Sequence, residues 1–299
     1  MLEQRAVALG TFDGLHLGHM QVLNATKEVG FLPSALLFST HPAAVLANDA
    51  PPALCTDRKR EALLRTTGIE ILQVDFREIM ALSPRAFFEK ILLERFSAGL
   101  VCCGENYTFG KGKSGTPDTL AALCKEYGVR LKVVSTARFD GTPISSTRIR
   151  AALENGEVEN ANQMLGRAFS YAFPVVEGDK RGRTLHFPTI NQFFPDGFIR
   201  PKFGVYASFT EIDGKRYAAV TNFGARPTIG TKSVRSETCI LGFSGDLYGQ
   251  SPEIHWLSYL RPEQKFGSLS ELQTAIAADA KCAKEIFETC RFVNDVLQN

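Results

Sequence analysis

Apolar residues in the first half of the chain come in two patterns. AVAL (6–9), ALLFS (35–39), IEILQV (69–74), GLVCC (99–103) and LKVV (131–134) are mostly apolar runs of strand length. Between them, Leu17, Met20, Leu23 and Lys27 recur at helical spacing, and Gly30 is the expected stop. Asp57 is placed to cap a helix over 58–67, and Ser83-Pro84 opens the helix AFFEKILLERF. Thr116-Pro117-Asp118 starts TLAALCKEYG, with proline where its missing donor costs nothing. Strands alternating with helices of this length predict βαβ units and a parallel, Rossmann-like α/β sheet that binds ligands outside the carboxyl ends of its strands.

Two short helices, from about Thr147 and Val158, are expected to close this half near Arg167. The pattern then changes, and a domain boundary is expected there, giving domains of 1–167 and 168–299. Beyond Tyr171, glycine and proline punctuate short alternating runs. VYASFTEI and KRYAAVTNFG flank Asp213-Gly214, the type I′ turn signal, and predict a hairpin. ETCILGF and EIHWLSYL add strands. A long amphipathic helix, capped by Ser268 or Ser270, is expected over LSELQTAIAADAKCAKEIFETCRFVNDVL. The second half therefore reads as a small antiparallel β-barrel with a C-terminal helix packed on it.

Composition narrows the class. With 299 residues, 44% hydrophobic and 22% charged, the chain can bury two cores. Its 34 basic and 32 acidic side chains leave +2, which gives no reason to expect a nucleic-acid partner. No apolar run approaches the roughly 18 residues of a membrane helix, and the N-terminus lacks the pattern of a signal peptide. Seven cysteines, an odd number with no C-x-x-C, fit neither a disulfide framework nor a zinc ribbon. A cytoplasmic protein without membrane association is expected.

Chemistry concentrates first in GTFDGLHLGH (10–19), which follows the first strand and opens the first helix. Gly10, Gly14 and Gly18 allow close approach of a ligand. His16 and His19, three apart, are expected on one helical face at its positive end, where bare N–H groups already favour an anion. After the last strand of the sheet stands ISSTRIRAAL (144–153), with Ser145, Ser146 and Thr147 as caps. Arg148 and Arg150 follow in the first turn, where a cation is unfavourable unless an anion binds. Gly112-Lys113-Ser114 ends like a Walker A motif but has Tyr107 where the motif needs glycine. The G-x-G-x-x-G of Gly110, Gly112 and Gly115 does not abut a strand, as a dinucleotide fingerprint must.

In the second half GDKRGRTLHFPTINQF (178–193) joins a glycine-basic loop, able to wrap phosphates, to Thr189 and Asn191. A hydroxyl and an amide oxygen at that spacing are hard ligands suited to Mg²⁺ beside ATP. RSETCILGFSGDLYG (235–249) holds Glu237, which on pattern alone is an outward strand residue.

These strings carry a resemblance. GTFDGLHLGH is similar to the H-x-G-H motif of nucleotidyltransferases, and in its longer form to bacterial FAD synthetases. GENYTFGKGKSG (104–115) and His41-Pro42 resemble further segments of that family, with Ser39-Thr40 in place of its acid-proline pair. The second set resembles the riboflavin kinase signature, with His186 and Ile190 replacing glycine and alanine. RSETCILGFSGDLYG resembles the kinase segment ending in DLYG, with Cys239 in place of histidine. Together they resemble the bacterial bifunctional riboflavin kinase/FMN adenylyltransferase family over nearly the whole chain. The resemblance implies phosphorylation of riboflavin to FMN by ATP, then adenylyl transfer from ATP to FMN giving FAD. It implies His16, His19 and Glu237 as catalytic residues and Asn106 as flavin-binding. It implies Gly10, Phe12, Gly18, Ser146, Thr147, Arg150, Gly178, Lys180, Gly182 and Arg183 as ATP-binding, and Thr189 and Asn191 as Mg²⁺ ligands. A kinase with a degenerate first domain and a non-catalytic flavin-binding protein are the alternatives.

Overall fold

Along β1 (Arg5–Leu9) of the computed structural model, Ala6 and Ala8 face one side of the sheet and Val7 and Leu9 the other, and all four are buried. A strand covered on both faces must lie inside a layered domain. The structure describes residues 4–47, 50–177, 188–228, 231–293 and 296–298. Contacts divide the chain into two compact units, Met1–Ser146 and Thr147–Asn299.

The first unit has β2 (Leu32–Phe38), β3 (Glu70–Val74), β4 (Ala98–Gly104) and β5 (Arg130–Val134) beside β1, all parallel, in the order β3-β2-β1-β4-β5. A two-stranded turn, β6 (Arg138–Phe139) and β7 (Thr142–Pro143), follows. Its helices are α1 (Leu17–Asn24), α2 (Pro42–Ala47), α3 (Asp57–Thr66), α4 (Phe76–Ile79), α5 (Pro84–Phe87) and α6 (Pro117–Tyr127). The segment after α5 continues as a π-helix, Phe88–Arg95. One face of the sheet packs Val7, Leu9, Val101 and Cys103 against Phe87, Phe88, Leu92, Leu120 and Leu123. The other packs Ala6, Ala8, Leu100 and Cys102 against Leu15, Leu23 and Leu64.

Two local expectations are corrected here, and two helix starts hold. α1 stops at Asn24, well short of Gly30, because Thr26 turns its hydroxyl onto the Leu23 carbonyl (2.6 Å) while the amides of Thr26 and Lys27 bond three residues back. Such bonds tighten the backbone out of α geometry. The cap of α3 is Thr56, whose hydroxyl accepts from the Lys59 amide; Asp57 lies in the first turn and pairs with Arg60. Ser83 and Thr116 cap α5 and α6.

The second unit opens with α7 (Ser146–Asn155) and α8 (Val158–Leu165). They pack on the sheet that follows. The Asn162 side chain donates to the Trp256 carbonyl (2.9 Å) and accepts from the Phe169 amide (2.7 Å), and Lys202 donates its amide to Leu153. The compact division therefore falls ahead of the expected boundary at Arg167. Strands β8 (Phe169–Tyr171), β9 (Val175–Val176), β10 (Thr189–Phe193), β11 (Gly204–Ile212), β12 (Lys215–Thr228), β13 (Thr231–Ile240) and β14 (Ile254–Arg261) form a curled antiparallel sheet in the order β8-β14-β11-β12-β13-β10-β9. Asp213 and Gly214 take positive φ at the β11–β12 turn, as a type I′ hairpin requires. One face buries Tyr206, Phe223 and Trp256 with a chain of hydroxyls, Ser208 to Thr221 (2.8 Å) to Thr238 (2.9 Å). The other buries Val205, Ala207 and Phe209 against α9 (Leu269–Thr289), capped by Ser268. α9 ends at Thr289 because Cys290 leaves helical geometry (ψ 126°), and extended backbone replaces the expected helical end.

Candidate active sites

The chain leaves β1 toward β2 and β3 on one side of the sheet, whereas β4 leads to β5 on the other. The carboxyl ends of β1 and β4 are thus a topological switch point, where open α/β sheets bind ligands. GTFDGLHLGH leaves β1 at this point. Gly10 ends the strand under the ring of Phe12. Phe12 and Leu15 both take positive φ (51° and 43°), a conformation that costs about 1–3 kcal/mol for such residues. Tertiary bonds hold the loop in it. A carboxylate oxygen of Asp13 accepts from the Leu54 amide (3.3 Å), and the Ser146 hydroxyl donates to the Asp13 carbonyl (3.0 Å). The second bond joins the two motifs that sequence places far apart.

His16 is not part of the helical face. It is the extended N-cap of α1, and its Nδ1 accepts from the His19 amide (3.3 Å). An accepting Nδ1 leaves the ring proton on Nε2. The two imidazoles stack with centroids 3.7 Å apart and planes 15° apart, and Phe12 meets His19 edge-on. Gly18 gives His16 its place: a Cβ there would stand 3.2 Å from the His16 ring. Both histidines therefore share one stack at the positive end of α1. Thr147 is exposed and Arg150 buried in α7, which is counted with the second unit. Asn106 is exposed in the turn that follows β4. His41 caps α2 through the Ala43 amide (3.2 Å).

The second site is built by register. β10 pairs with β13 so that Asn191 faces Glu237 and Thr189 faces Cys239; β12 pairs on the other side, setting Asn222 opposite Glu237 and Val220 opposite Cys239. Residues alternate along a strand, so Thr189, Asn191, Glu237, Cys239 and Asn222 share the face turned toward α9. They line a cavity of about 1120 Å³ with Arg235, Phe243, Arg261, Glu263 and Ile276. Arg235 holds one Glu237 oxygen through Nε (3.0 Å) and Nη2 (2.7 Å). Arg261 grips Asp279 of α9 with both edges of its guanidinium (3.0 and 2.6 Å), tying the far wall to the sheet. Burial pushes the Cys239 thiol up to about 11, so that side chain is neutral where it lines the cavity.

Thr189 and Asn191 offer the cavity a hydroxyl and an amide oxygen from alternate positions. Among the described residues no cluster of three His, Cys, Asp or Glu exists. A cation here would complete its oxygen shell from substrate phosphates and water, as Mg²⁺ beside a nucleotide does. The donor set fits. Gly178, Lys180, Gly182 and Arg183 lie outside the described residues. The sequence resemblance covers the segments that hold Arg235, Asn222 and Glu263 but gives these three residues no role.

The sequence model of the FAD synthetase family matches residues 1–148, and that of the riboflavin kinase family residues 165–287. The chain is 34% identical to the bifunctional riboflavin kinase/FMN adenylyltransferase of Bacillus subtilis, over 95% of this chain and 93% of that one. It is 35% identical to the protein of the same name from Escherichia coli K12, over 94% and 92%. A crystal structure described as a macrolide-efflux protein from Streptococcus pneumoniae matches with a TM-score of 0.86 at 29% identity, covering 95% of each chain. Among the described residues no helix is long and apolar enough to cross a membrane.

Proposed function

The chain belongs to the bifunctional riboflavin kinase/FMN adenylyltransferase family, and from that premise we propose how its residues divide the work. The enzyme phosphorylates riboflavin with ATP to give FMN, then transfers the adenylyl group of ATP to FMN, giving FAD and pyrophosphate.

The observation that carries the kinase reading is the cross-strand pairing of Asn191 with Glu237. Glu237, anchored by Arg235, takes the proton of the riboflavin 5′-hydroxyl as that oxygen bonds to the γ-phosphorus of ATP and the bond to the bridging oxygen of ADP breaks. Thr189 and Asn191 would hold Mg²⁺, which when bound neutralises phosphate charge and orients the triphosphate. Gly178, Lys180, Gly182 and Arg183 would wrap those phosphates.

In the first unit an FMN phosphate oxygen attacks the α-phosphorus of ATP, and pyrophosphate leaves. His16, through Nε2–H, and His19 stabilise the charge that builds at the α-phosphate. Ser146 grips the leaving pyrophosphate, Gly10, Phe12 and Gly18 shape the ATP site, and Asn106 contacts the flavin. The seven cysteines form no disulfide. With ATP as substrate, that supports a cytoplasmic setting, and a net charge of +2 supports no nucleic-acid or membrane partner.

Two variants test the assignment separately. Glu237→Gln should lower kcat for riboflavin phosphorylation by about 10²–10⁴, the usual worth of a general base, and leave FAD formation from supplied FMN intact. His16→Ala or His19→Ala should lower FAD formation by about 10² or more and spare FMN formation. Near wild-type kcat in Glu237→Gln, or equal loss of both activities in the histidine variants, would remove those roles.

A further inference from the structure

Gly224 lies inside β12, where glycine has no side chain to pack and weakens the strand. Its backbone is not left-handed, so no turn demands it. Space does: a Cβ at this position would stand 2.6 Å from both carboxylate oxygens of Glu263. Gly224 shares its face with Asn222, two residues back, and the Asn222 amide nitrogen donates to Glu263 Oε1 (3.2 Å). A carboxylate only accepts, so this bond fixes which way the amide points. Its oxygen and the Glu263 carboxylate then present acceptors to the cavity, at an open, solvent-exposed edge.

Asn222 stands directly across from Glu237. Neighbouring strands are about 4.8 Å apart, less than the length of an extended ribityl chain. With the 5′-hydroxyl at Glu237, the secondary hydroxyls of the same chain fall within reach of the next strand. Hydroxyls are donors, and a carboxylate can accept from two of them at once. On the kinase reading above, we infer that Asn222 and Glu263 read the ribityl hydroxyls and so set the specificity of the kinase for a polyol side chain. Gly224 makes the room that lets Glu263 do so.

The test compares riboflavin with a flavin whose ribityl group is replaced by an unsubstituted hydroxypentyl chain. That analogue keeps the reacting primary hydroxyl and lacks the secondary ones. Hydrogen bonds to a charged group are worth about 10- to 100-fold each, so the native enzyme should prefer riboflavin in kcat/KM by about 10² or more. Glu263→Gln and Asn222→Ala should each shrink that preference at least tenfold, mainly through a higher KM for riboflavin, with the analogue little changed. Quenching of flavin fluorescence reports whether each variant still has a folded pocket. Where Glu263→Gln does not fold, Asn222→Ala and Gly224→Ala decide, the latter displacing the same carboxylate. Glu237→Gln should slow both substrates alike and keep the preference, so failure of the base assignment reads differently from failure of this one. Wild-type preference in the folded variants, or equal loss on both substrates, overturns the inference.

Discussion

Gly18 occupies the second position of α1, where a helix has no use for glycine's freedom, yet a methyl group there would press on the His16 imidazole at 3.2 Å. Alanine is worth about 0.5–1 kcal/mol more than glycine within a helix, so Gly18→Ala should leave the melting temperature unchanged or higher. On the proposed role of His16, FAD formation from FMN should nevertheless fall at least tenfold, because its ring is pushed from the stack. FMN formation belongs to the other unit and should hold. Full FAD formation in this variant would show that the stack tolerates displacement. The histidines themselves were legible in the sequence, since a strand, a glycine turn and a helix start lie in one short string. Their arrangement was not: the left-handed Phe12 and Leu15 place His16 at the cap, outside the helical face. Arg235, Asn222 and Glu263 lie in strings that resemble the family's, but only the strand register of Asn222 and the shared cavity wall reveal that they line one site with Glu237.

Elements were read well where a run of apolar residues or a proline-marked cap announced them, as at β4 and α6. Ends set by a single side chain, such as Thr26 closing α1, were not visible in periodicity. The buried strand β4 also carries a measurable consequence. Its adjacent thiols face opposite sides of the sheet, and burial pushes Cys102 up to about 12 and Cys103 to about 11; Cys124 on α6 likewise rises to about 11. Unfolded thiols ionise near about 8.5. Above that value and below the folded values the folded chain binds more protons than the unfolded one, so stability falls as pH rises. The contribution is whole below about pH 8. Denaturant midpoints of the first unit should therefore decline steadily between about pH 8.5 and 11, and Cys103→Ala should flatten the decline. An unchanged slope in that variant would place the loss elsewhere.

At the scale of the whole molecule, the change from βαβ pattern to alternating strands near Tyr171 was plain in the sequence, and it led to a boundary at Arg167. The compact units divide earlier, after Ser146, because α7 and α8 pack on the strands that come after them. No periodicity shows this, since an amphipathic helix does not announce which neighbour its apolar face will cover. The energetics can be tested with two fragments. One begins at residue 147 and keeps α7 and α8; the other begins at residue 168 and lacks them. In the shorter fragment the Phe169 amide and the Trp256 carbonyl lose Asn162, their side-chain partner at 2.7 and 2.9 Å. Exchanging each of these bonds for one to water costs about 0.5–1.5 kcal/mol. The apolar cover of Val158, Ala161 and Leu165, all buried, goes with them. The longer fragment should unfold cooperatively and make FMN but no FAD. The shorter one should have an unfolding free energy lower by several kcal/mol, the sum of those losses, and a lower denaturant midpoint, with FMN formation falling in proportion to the unfolded fraction. Equal stability and equal FMN formation in the two fragments would favour the boundary at Arg167 over one after Ser146.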